Sequence, residues 1–176
     1  MVMTDAASQN LATSPSVTTS EPLCLRTELG FAAEACLAAY APTIAVRLLV
    51  VMLMKQFNGE APPSHPFLEM LDNDSGAMVL LLVALTAVVV APVVEELQYR
   101  VVLLGGLAQV GMTWPALALS SLLFSLAHGM PDGIALIPLA LALGYTYLRR
   151  RSCITVMLVH FLFNAFNLLV ALLGMM

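Results

Sequence analysis

Residues 76–100 read GAMVLLLVALTAVVVAPVVEELQYR. From Ser75 to Val94 the chain carries no Asp, Glu, Lys or Arg, and about 20 such residues in a helix cross a hydrocarbon core of about 30 Å. Glu95, Glu96 and Arg100 follow directly. An ionised side chain at mid-bilayer costs roughly 2.5 to 3.5 kcal/mol on insertion scales, so three persist only if they pair, neutralise or line a hydrated cavity.

The rest of the chain agrees with a membrane setting. Of its 176 residues 60% are hydrophobic and 10% charged, and its mean hydropathy is +0.92, far above that of a soluble domain of this size. This predicts an all-α, polytopic bundle of about five to six hydrophobic helices. The net charge of -4 comes largely from acidic residues before Gly76 and says little about partners. No basic stripe is present, which excludes a nucleic-acid interface. Cys24, Cys36 and Cys153 lack metal-ligand or CxxC spacing and read as ordinary small apolar residues.

Residues 1–29, rich in Ser, Thr and Ala and without a basic segment followed by an apolar one, are expected to form a poorly ordered polar tail. Residues 30–176 form one membrane-embedded domain. Its first apolar segment, about Phe31 to Met54, includes Glu34 and Arg47, which must sit near an interface or face protein. A polar loop, KQFNGEAPPSHPFLEMLDNDSG, follows. The later segments are expected at about 77–95, 96–111, 115–129, 134–148 and 153–174. Pro92 can kink or end a helix there, and whether 77–95 and 96–111 are separate spans or one bent helix stays open. Arg149, Arg150 and Arg151 form the one basic cluster, which places their loop in the cytoplasm by the positive-inside rule.

After Ser75 there are seven Asp, Glu, Lys or Arg residues: Glu95, Glu96, Arg100, Asp132 and the three loop arginines. On a helix Glu96 and Arg100 stand at i and i+4 and can pair, while Glu95 points about 100° away. One carboxylate can therefore be held while the other stays free. A structural ion pair at a membrane interface is the plainer reading of the same residues. His128 and His160 lie in otherwise apolar stretches. Asn164 and Asn167 share the stripe of His160, and Ser121 and Ser125 fall on the side of His128. Two polar stripes on apolar helices call for a shared interior cavity. A desolvated glutamate can serve as general base toward water, with imidazole and amide N–H groups as donors to an oxyanion. That set suffices for peptide hydrolysis without a serine or cysteine nucleophile.

Three motifs, EELQYR at Glu95 to Arg100, FSLAH at Phe124 to His128 and HFLFN at His160 to Asn164, stand in order. They resemble the EExxxR, FxxxH and HxxxN/D motifs of the CPBP intramembrane proteases, also called the Abi or type II CAAX prenyl endopeptidase family. LGYTYLRRRS likewise resembles the connection before that family's last motif, and the likeness spans about residues 76–172. It implies an all-helical bundle and a multi-pass protein, in a short chain of this kind one of a prokaryotic inner membrane. It also implies proteolysis of a membrane-associated peptide or protein. By the same resemblance Glu95 is the base, assisted by His128; His160 and Asn164 stabilise the oxyanion; Glu96, Arg100 and Phe124 support the site. Val101 stands where members commonly carry glycine.

No cofactor is expected. A zinc-dependent form would draw on Glu96, His128 and His160, although no HExxH pair is present. Two non-hydrolytic readings use the same residues: a membrane binding or immunity module with a peptide-binding cavity, and a small transporter with Glu95 and His128 as proton relay. Straight antiparallel helices would hold His128 and His160 at different depths. A convergent site therefore predicts that GMPDG, residues 129–133, turns into the protein.

Overall fold

The computed structural model describes residues 25–59 and 76–174, which form five helices and, among themselves, no strands. These are α1 (Leu25–Asn58), α2 (Ala77–Gln109), α3 (Thr113–Ala127), α4 (Asp132–Arg150) and α5 (Cys153–Leu172). Three of them, α1, α2 and α5, are long and apolar enough to cross a membrane. The fold is an all-α membrane helix bundle.

The helices differ from expectation in two places, at α1 and α4, and α2 answers a question the sequence left open. α1 begins at Leu25, so the last residues assigned to the polar tail are helical; residues 1–24, with Cys24, lie outside the described residues, as do most of the polar loop and its His65. Segments 77–95 and 96–111 are one helix. Pro92 does not end it, because the turn before it is wound as a π-helix from Thr86 to Val90, and the wider turn relieves the clash between a proline ring and the carbonyl four residues back. A second π-helical stretch, Leu97–Gly105, follows the glutamates. α4 has 19 residues, more than the segment foreseen.

The early start of α1 has a polar cause. Glu28 in its first turn accepts from Arg150 at 2.6 Å and from the Thr155 hydroxyl, tying α1 to the α4–α5 junction. Arg151 closes α4 in the left-handed conformation, and the Ser152 side chain then caps α5 by accepting from the Thr155 N–H at 3.2 Å. The three-arginine loop is thus a tight corner. The core joins α1, α3, α4 and α5 through Ala32, Cys36, Ala39, Phe124, Leu139, Ala140, Leu143, Val156, Val159 and Phe163. Small residues of α1 at i, i+4 and i+7 let its backbone approach α4 and α5 closely. Cys36 is buried there like any apolar residue. Of the two charges foreseen in α1, Glu34 is exposed and Arg47 is partly buried.

Candidate active site

The glutamate pair divides as its helical phase dictates. Glu96 and Arg100 are wholly buried, at 0% exposure each, with Glu96 Oε2 3.1 Å from Arg100 Nε. The contact is an ion pair by distance but is not aligned as a hydrogen bond. Arg100 also donates to the Ala140 carbonyl at 3.3 Å and lies over the Phe124 ring, 4.4 Å from its centroid. The other oxygen, Glu96 Oε1, is 2.8 Å from His160 Nδ1. Each oxygen of Glu96 therefore faces a different cationic or donor group. Glu95 keeps a quarter of its side-chain surface open, and its Oε2 lies 3.8 Å from His160 Nε2. His160 is 2% exposed and stands between the two carboxylates.

A cavity of about 420 Å³ opens beside this array, lined by Glu95, His128, His160, Asn164 and Asn167 among others. Its apolar wall includes Val88, Phe124, Leu136 and Phe163. The three polar residues of the α5 stripe face it together, as their spacing predicts. His128 does not lie within a helix but ends α3, with its Nδ1 2.8 Å from the Phe124 carbonyl. Phe124 lies between the two imidazoles, its ring centroid 4.7 Å from that of His128 and 5.6 Å from that of His160. Asp132 of GMPDG lines the same cavity.

Ser121 and Ser125 do not join the cavity. Both are buried, and α3 turns the adjacent Phe124–His128 stripe toward the cavity instead. The reason lies at Gly133: a Cβ there would come within 2.4 Å of the Ser125 carbonyl oxygen, so the α3–α4 backbones meet on the serine side. The zinc set of Glu96, His128 and His160 is not assembled either. Glu96 is engaged by His160 and Arg100, and no three His, Cys, Asp or Glu side chains among the described residues group closely enough to hold a metal ion.

Two contributors were not foreseen as site residues. Thr43 and Arg47 bring α1 into the lining. Arg47 carried a signal, a charge in an apolar segment, but nothing in its spacing linked it to the motifs. Tyr40 donates to Asn167 Oδ1 at 3.5 Å, while Asn167 donates to the Phe163 carbonyl at 2.9 Å. Asn164 donates to the Ala87 carbonyl at 2.9 Å.

The family described as "Type II CAAX prenyl endopeptidase Rce1-like" matches residues 77–166, a span that holds all three motifs. The chain belongs to that family, and so to a class of membrane proteases. No curated protein and no solved structure matches it.

Proposed function

We propose that the protein is a glutamate-dependent intramembrane endopeptidase that hydrolyses a peptide bond in a membrane-associated peptide or protein. The observation that carries this reading is the division of labour between adjacent carboxylates: Glu96 is buried and bound at both oxygens, while Glu95 lines the cavity with His128, His160 and Asn164. A water in the cavity gives a proton to Glu95 as its oxygen attacks the scissile carbonyl carbon, with His128 holding that water. The carbonyl π pair moves onto oxygen, and His160 and Asn164 donate to the oxyanion. Collapse of the tetrahedral centre breaks the C–N bond, and the proton on Glu95 passes to the leaving amine.

The position of His160 defines what its role demands. Donation from Nδ1–H to ionised Glu96 leaves a neutral imidazole with Nε2 as an acceptor. It therefore donates to an oxyanion from Nε2 only as the imidazolium. Its substrates share the bilayer with it, and the chain is a multi-pass protein of a prokaryotic cell membrane with Arg149 to Arg151 on the cytoplasmic side.

The test is cleavage of a membrane-proteome or reporter-peptide library by purified parent, Glu95→Gln and Glu96→Gln proteins, with and without chelator. Loss with Glu95→Gln, partial loss with Glu96→Gln and indifference to chelator are expected. Intact folds with no cleavage in any protein, parent included, would favour a binding module. Activity abolished by chelator and restored by zinc would replace the metal-free route.

A further inference from the structure

The π-helical turn in α2 leaves a gap in its backbone ladder. Across Thr86–Val90 the hydrogen bonds run five residues back, the last being Ala91 N–H to the Thr86 carbonyl. The next rung in that register would join the N–H of residue 92 to the carbonyl of Ala87. Residue 92 is proline and has no N–H. The amide that reaches Ala87 O comes from another helix, Asn164 Nδ2 on α5, at 2.9 Å.

The consequence falls three residues further on. A π turn takes up one extra residue, so relative to the segment before it everything after it is set back by one residue, or about 100°. Were the turn to relax to an ordinary α-helix, Glu95 would take the direction now held by Glu96. Glu96 would take that of Leu97, which is exposed on the outer surface. The register of this single turn therefore decides which glutamate faces the cavity and which is held between Arg100 and His160.

The geometry points to Asn164 as a positioning residue: by completing the rung that Pro92 cannot make, it holds the π register that presents Glu95 to the cavity. This rests on Glu95 as the base proposed above and adds to Asn164 a role distinct from contact with the oxyanion. One Asn164 N–H serves Ala87, and the second is directed elsewhere, so the two roles are compatible.

The two roles separate in a double-mutant cycle of Asn164→Ala and Pro92→Ala, read by unfolding temperature in detergent and by kcat and KM. Pro92→Ala returns an N–H to α2, so it substitutes for the lost amide. Asn164→Ala alone is expected to lower both unfolding temperature and kcat. Adding Pro92→Ala should restore about half of the lost unfolding temperature and raise kcat about tenfold over Asn164→Ala, the size of coupling between residues in one network, with KM little changed. If Asn164→Ala does not fold, the same cycle with Asn164→Leu applies; that side chain has a similar size and no N–H to give Ala87, and the loss should again be offset by Pro92→Ala. Additive effects in both readouts would overturn the proposal. So would recovery of stability with none of kcat, the result for a bond that braces α2 without orienting Glu95. If even the parent cleaves nothing, the peptidase reading fails, and additive unfolding temperatures would then refute the rung while coupled ones would support it.

Discussion

Glu96 Oε1 and His160 Nδ1 lie 2.8 Å apart although the residues are 64 positions apart in the chain. This bond is the shorter of two direct side-chain contacts between the first and last motifs, and it turns the His160 ring so that Nε2 faces Glu95. Arg100 closes the array from behind, against the other Glu96 oxygen. The two adjacent glutamates are thereby chemically unlike: one is fixed in a buried network, the other borders the cavity.

Glu95→Gln is expected to lower kcat at least about 100-fold, the lower end of what a positioned general base contributes, with little change in unfolding temperature because the side chain is partly exposed and bound at one contact only. Glu96→Gln keeps an acceptor for His160 but leaves Arg100 without a counter-charge. Its signature is a lower unfolding temperature together with a partial loss of kcat. Measuring both quantities on both variants checks the assignment; equal losses of activity and stability in the two would contradict it.

Much of this site was legible because its residues are few and misplaced. In an apolar chain a Glu, His or Asn on a helix has a cost, so Glu95, Glu96, Arg100, His160 and Asn164 stood out, and their helical spacing already divided the glutamates. What the spacing could not carry was the backbone. The π turns in α2 alter phase without altering composition, so the continuity of α2 through Pro92 was not readable. Nor was the direction of α3: Ser121, Ser125 and His128 look like one stripe on an ideal helix, but the contact of Gly133 with the Ser125 carbonyl fixes the serines against α4. Arg47 and Thr43 entered the cavity through tertiary packing of α1 alone.

Gly133→Ala tests that contact. The added methyl would meet the Ser125 carbonyl oxygen at 2.4 Å, and backbone cannot rotate away as a side chain can, so the α3–α4 corner must shift. A destabilisation of about 1 to 3 kcal/mol is expected, the usual range for overpacking. Because His128 lies at that corner, kcat should fall more than for Gly144→Ala, where the added methyl meets the mobile end of Leu117. Peptidase assays below the unfolding temperature of each variant make the comparison.

Asp132 provides a test of how the cavity meets the membrane surface. It lines the cavity beside His128, so in detergent-purified protein without Cys24, Cys36 and Cys153, Asp132→Cys should react with a thiol reagent more slowly than Gly111→Cys, in the α2–α3 turn. A bound peptide that fills the cavity should slow it further. Reaction as fast as that of Gly111→Cys would mean that GMPDG lies open to solvent and that the cavity does not shelter it.

Arg100→Met should be among the most damaging single changes. The side chain is fully buried, and its removal leaves Glu96 as a buried carboxylate with His160 as its one remaining partner. Breaking a buried pair from one side costs about 3 to 5 kcal/mol, because the charge left behind is uncompensated. Without Arg100 the Glu96 carboxylate is held from one side only, and the orientation it gives His160 Nε2 toward Glu95 is loosened. Stability and kcat should therefore fall together in Arg100→Met. The double variant Glu96→Gln with Arg100→Met removes both charges, and should regain much of the stability while staying poor in kcat, since no buried charge is left unpaired but the carboxylate that holds His160 Nδ1 is gone. Unfolding temperature in detergent, read beside turnover for the two single variants and the double, checks this; a double variant that recovered turnover as fully as stability would show that the buried pair serves the fold and not the orientation of His160.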